Sequence, residues 1–118
     1  MKRSTAKRLH DAIQAIEAIE RFTQGMDYED YASSEMAMAA VERKFEIISE
    51  ALKNAAAEDA SIQASITVLP KIIGLRNRIA HDYDRIDQEV LWGIRSLWLP
   101  KLKVEASELL ADYRDKPE

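Results

Sequence analysis

The chain has 118 residues, 47% of them hydrophobic and 32% charged, with a net charge of −4 and no cysteine. That length predicts one domain over residues 1–118, and the balance is that of a globular chain rather than a disordered one. The lack of cysteine excludes disulfides, thiol nucleophiles and thiolate metal sites. No apolar run approaches the roughly 18 residues that a bilayer span needs, and the basic start Met1-Lys2-Arg3-Ser4 leads into an amphipathic segment, so a cytoplasmic protein is expected.

Glycine and proline number three each, and no stretch alternates at period two, which predicts helices throughout. Ser4 or Thr5 is expected to cap a first helix running to about Gln24, ended by Gly25. Leu9, Ala12, Ile13, Ile16 and Ile19 form its apolar stripe, with Glu17, Glu20 and Arg21 facing away. Gly25 to Ser34, with Tyr28 and Tyr31, reads as a connection. A longer helix follows from Ser34 to about Ala57, its stripe Val41, Phe45, Ile48, Leu52 and Ala55. A second apolar stripe, Ala40, Ile47 and Ala51, gives this helix two neighbours to find. Residues 58–61 read as a link, and 61–69 as a short helix or an extended run.

Pro70 suits the first turn of a third helix reaching His81, where its missing N–H is harmless. Asp82-Tyr83-Asp84 leaves that helix, and Asp87 caps a fourth beginning near Gln88. Leu91, Ile94, Trp98, Leu102 and Leu109 share one face of this last helix, and Pro100 must kink or split it. Residues 112–118 read as a charged, frayed tail. Met36, Met38, Trp92 and Trp98 are expected in the core or an interface, and His10 in solvent. The predicted architecture is all-α, an antiparallel bundle of four to five helices.

Reactive side chains concentrate in one stretch, Leu75-Arg76-Asn77-Arg78-Ile79-Ala80-His81-Asp82-Tyr83, which reads R-x4-H-x-Y after the basic Lys71. At 100° per residue, Ile72, Leu75 and Ile79 form a core stripe while Gly74, Asn77 and His81 share the opposite face. Arg76 lies at the edge of the core stripe, with a stem long enough to reach round. Periodicity alone leaves that face either a functional or interface surface or a merely solvated one.

This stretch resembles the HepT-like branch of the HEPN superfamily, whose signature is R-x4-6-H with a polar residue after the Arg and x-Y after the His. Arg76, Asn77, His81 and Tyr83 occupy those places. Lys71-Ile72-Ile73-Gly74-Leu75 before the motif and Ile86-Asp87 after it are similar too. So are Ala40-Val41-Glu42-Arg43, the run Glu46 to Ala51, and Asp11-Ala12-Ile13 with Phe22 and Gly25. The resemblance implies a HEPN-like helical bundle that dimerises so that two R-x4-H motifs face one cleft. It further implies a toxin that cleaves RNA without metal or cofactor, and an MntA-like minimal nucleotidyltransferase as antitoxin partner, transferring AMP to Tyr83.

On that footing Arg76 and His81 are the expected catalytic residues, with Asn77, Tyr83, Lys71 and Arg78 supporting or binding substrate. Imidazole titrates near neutral pH and suits proton transfer from the 2′-hydroxyl and to the leaving 5′-oxygen. A guanidinium suits a bidentate clamp on the scissile phosphate. The acidic net charge is unusual for a nucleic-acid binder, so contact with RNA must come from a local cluster: Lys71, Arg76, Arg78 and Arg85, doubled in a homodimer or a higher oligomer. Two other readings remain: a non-catalytic helical partner or substrate-binding subunit of a nucleotidyltransferase, and a metal-dependent hydrolase using His10 or Glu50. The latter has no metal-spaced cluster behind it.

Overall fold

The computed structural model describes the backbone of residues 1–81 and 87–115, and the side chains of all of these except 76–81 and 115. The described residues are helical, without strands, in the order α1 (Arg3–Phe22), α2 (Tyr28–Ala32), α3 (Glu35–Glu58), α4 (Ser61–Ser65), α5 (Leu69–His81), α6 (Gln88–Gly93), a π-helical turn (Ile94–Trp98) and α7 (Leu99–Asp115). Since α6, the π turn and α7 are continuous, the bundle consists of four long rods and two short helices. No helix among the described residues is long and apolar enough to cross a membrane.

The central rod is α3. Its predicted stripe is buried along its whole length, with Val41, Phe45, Ile48, Leu52 and Ala55 at 1% exposure or less. α3 packs on both α1 and α5; of the second stripe Ala51 is buried, while Ala40 and Ile47 are half-buried. Ser34 caps it by accepting the Ala37 N–H, which satisfies one of the donors left unpaired at a helix start. α1 runs antiparallel to α3: its first turns meet the far end of α3 at Glu58. The last rod runs antiparallel to α1, with Arg95 donating to Thr23 and Lys103 to Glu20, both at 2.9 Å. Leu9, Ile16 and Ile19 of α1, Ile72 of α5 and Leu91, Leu99 and Leu102 of the last rod close the core around α3.

Ser4 and Thr5 do not cap α1. The helix starts two or three residues earlier than such a cap would place it, behind Lys2, which makes no side-chain cap. Both hydroxyls therefore sit inside the first turn and donate to the Glu58 carboxylate at 2.9 and 2.7 Å, beside the Arg8 guanidinium at 2.8 Å. Bonds to an ionised acceptor are the stronger choice. The Thr5 hydroxyl, then Arg8 and Ser4, hold the Glu58 carboxyl down from its ordinary 4.5 to about 2. A depressed carboxyl stabilises the fold above its unfolded pKa, and that contribution fades as pH falls through the window from 4.5 to about 2. Urea titrations at pH 5 and pH 2 are therefore expected to show a smaller acid-induced loss in Glu58→Gln than in the parent. Equal losses would unlink this carboxylate from folding.

Other expectations change. The segment after Gly25, which turns with φ +77°, holds α2 rather than a plain connection. Asp27 and Asp30 cap it reciprocally, and Tyr31 is fully buried. Just before Pro100 the last rod changes from α-helix to a π turn that separates α6 from α7, with Leu99 N–H bonded to the Ile94 carbonyl. The wide turn takes up one residue, so the inward stripe continues as Leu99, Leu102, Ala106 and Leu110, while Trp98 and Leu109 are only half-buried. α7 then persists to Asp115, where a frayed tail from Asp112 was expected, and Leu110 is still buried; residues 116–118 lie outside the described set. Of the two methionines expected in the core or an interface, Met36 is 83% exposed and so lies outside the core, whereas Met38 packs half-buried against it.

Candidate active site

α5 is placed by its apolar side. Val68, Leu69, Ile72 and Leu75 are buried, at 4% exposure or less, and the buried Ser49 hydroxyl of α3 donates to the Ile72 carbonyl at 2.7 Å. This bond reaches a main-chain carbonyl, so it fixes the α5 backbone against α3. The helix continues unbroken through Arg76, Asn77, Arg78 and His81, which keeps positions 74, 77 and 81 on one side of the rod. The side chains of those four residues and of Ile79 lie outside the described set, as do Tyr83 and Arg85 within 82–86. Lys71 is described and exposed, one turn into α5.

The chain re-enters the described structure at Asp87, which caps α6 as expected by accepting the Glu89 and Val90 N–H groups at 3.0 and 3.4 Å. The next residue is tied on two sides. Tyr31 donates its hydroxyl to Gln88 Oε1, and Gln88 Nε2 donates to Glu42 at 3.2 Å. Burial pushes the Tyr31 phenol far up, with Glu42 adding to it, so the hydroxyl stays a donor. Trp92 stacks on Tyr31 at 5.0 Å and carries the Arg95 guanidinium 4.4 Å from its ring centre, while Arg95 also binds the Thr23 hydroxyl. Both ends of the motif region are thus held: by Ser49 before it and by the Tyr31–Gln88–Glu42 chain after it. Gln88 and Tyr31 carry no local sequence signal for this role, since they meet only through the fold.

Between α5 and the last rod lies a groove of about 480 Å³, lined among others by Lys71, Gly74, Val90, Gly93, Leu97 and Trp98. Lys71 Nζ stands 4.5 Å over the Trp98 ring. Leu97 is 73% exposed, which the sequence did not suggest. Among the described residues no three His, Asp or Glu side chains stand close enough to hold a metal ion, and His10 is exposed on α1.

The sequence profile of the family described as ribonuclease HepT-like matches residues 12–109. The chain belongs to the HepT-like ribonuclease family. A HepT-like relative from Thermococcus cleftensis, a proposed ribonuclease HepT, is 34% identical over 109 residues, covering 92% of this chain and 98% of its own. A proposed RNase of Methanocaldococcus jannaschii is 27% identical over 117 residues, 98% of each chain. A longer protein of that organism, described as a gamma-glutamylcyclotransferase and proposed RNase, is 26% identical over 114 residues, 95% of this chain and 50% of that one. No solved structure shows a significant match. The HepT-like match takes in α3, α5 and the R-x4-H-x-Y stretch together, in agreement with the resemblance read from the motif.

Proposed function

We propose that this HepT-like chain acts as one domain, a metal-independent endoribonuclease that is the toxin of a toxin–antitoxin pair and works in the cytoplasm as a homodimer. The observation that carries the reading is the R-x4-H-x-Y string, whose Arg76 and His81 lie on α5, within a chain whose HepT-like membership spans nearly its whole length. In the reaction, the His81 imidazole of one protomer takes the 2′-hydroxyl proton, and the freed 2′-oxygen attacks the adjacent phosphorus. The bond from phosphorus to the 5′-oxygen breaks as the second protomer's His81 returns a proton to that oxygen. A 2′,3′-cyclic phosphate and a 5′-hydroxyl result, with no oxidant or water consumed. Arg76 holds the phosphate bidentately while its charge grows, and Asn77 orients the imidazole or the phosphate. Lys71 and Arg78 add local positive charge.

Tyr83 is the proposed AMP acceptor for a nucleotidyltransferase antitoxin. A phosphodiester there places negative charge and bulk beside Arg76, which repels RNA. The net charge of −4 favours a second reading, a non-catalytic partner of such a nucleotidyltransferase. Purified protein incubated with single-stranded RNA separates the two. Cleavage is expected to proceed at an unchanged rate in EDTA; loss of cleavage in chelator with recovery on adding a divalent ion would replace this mechanism with a metal-dependent one. No cleavage under any condition would leave the binding role.

A further inference from the structure

The groove between α5 and the last rod has features of a nucleotide subsite rather than of a finished piece of core. Its floor is bare: a methyl group added at Gly74 or Gly93 would meet nothing within 4 Å, so neither glycine is required by the chain's own packing. Its walls are apolar, with Val90, Ile94 and the exposed Leu97 on one side. At its mouth the half-buried Trp98 indole lies under the Lys71 ammonium. Among the described residues, Lys71 is the only charged one lining the groove.

The two tryptophans differ in what they can still accept. Trp92 is engaged by Tyr31 and by Arg95 at once. Among the described residues Trp98 has one charged partner over its ring, the Lys71 ammonium, a group with three N–H donors. An aromatic surface next to a cation, in a cleft whose other described lining residues are apolar or glycine, suits a base stacked on the indole with its phosphate on the ammonium. The location agrees as well. Lys71 begins the rod that ends in His81, ten residues on and therefore about 15 Å away along the axis, a span of a few nucleotides.

We propose that Trp98 and Lys71 form a base-stacking subsite for a nucleotide of single-stranded RNA flanking the cleavage point. This rests on the ribonuclease reading, but its test does not need cleavage. The probe is a single-stranded oligonucleotide methylated at every 2′-oxygen, which has no nucleophile and cannot be cut, bound to the full-length protein. Trp98→Leu is expected to weaken binding roughly tenfold, the ordinary worth of one stacked base, and Trp98→Phe to retain most of the affinity. Lys71→Gln, which leaves the indole in place, is expected to lower the slope of log affinity against log salt by about 0.7, one phosphate contact on a single strand. An oligonucleotide with one abasic position is expected to bind the parent protein more weakly and to lose that penalty in Trp98→Leu.

Unchanged affinity in both Trp98 variants with an unchanged salt slope in Lys71→Gln overturns the subsite. So does a Trp98→Leu protein whose only change is a shift in sedimentation toward the monomer, which would give the groove to a second copy of the chain. Base-dependent binding in a protein that never cleaves RNA would sink the ribonuclease reading while leaving this inference intact.

Discussion

Replacing His81 with alanine is expected to slow RNA cleavage by about 10²–10⁴-fold, the usual worth of one positioned proton-transfer group, and to leave the thermal unfolding of the bundle unchanged. In a symmetric dimer the single substitution removes base and acid together, so the loss should fall toward the upper end. Alanine is the best helix former, and α5 is anchored by Val68, Leu69, Ile72 and Leu75 and by the Ser49 bond to its main chain, all upstream of position 81. The rate of the parent should follow a bell in pH, since one imidazole must be neutral while the other is charged. Initial rates on a defined RNA, with circular dichroism melts of both proteins, measure this. A variant that cleaves at the parent rate removes the imidazole from the chemistry, and one that melts early shows a structural residue instead.

The parts of this protein that its sequence announces are those decided locally. Val41 to Ala55 repeat at steps of four and three, so the buried side of α3 could be read without knowing its neighbours, and Ser34, Pro70 and Asp87 act on their own helix starts. Arg76 and His81 lie on one rod, but periodicity left their face open, and it was the likeness to the HepT-like family that singled the stretch out. What escaped was decided by distant partners. Tyr31 is buried because Gln88 and Trp92 come to it from the last rod, and five residues of α2 are too short to show a hydrophobic period. Ser4 and Thr5 looked like caps because their acceptor, Glu58, stands more than fifty residues away. At Leu97-Trp98-Leu99 three apolar residues in a row allowed either phase past Pro100. The π turn chose Leu99 for the core, which left Leu97 outside and Trp98 at the groove mouth. The pairing of Lys71 with Trp98 follows from that slip, and neither residue signals it alone.

Phe45→Ala should give the opposite pattern to His81→Ala. Phe45 is fully buried at the middle of α3, the rod that touches both α1 and α5, so removing its ring leaves a void that close-packed neighbours cannot fill. Such truncations destabilise by about 3–5 kcal/mol, a large part of the 5–15 kcal/mol that holds a typical domain folded. The urea midpoint should drop accordingly, with a nearly unchanged slope if unfolding stays two-state. Activity per folded molecule, measured well below the new melting point, should stay close to the parent's, because the bond from Ser49 to Ile72 still sets the α5 backbone. If folded Phe45→Ala protein loses cleavage as completely as His81→Ala, then the motif is held by tight packing around Phe45 rather than by the main-chain bond between α3 and α5.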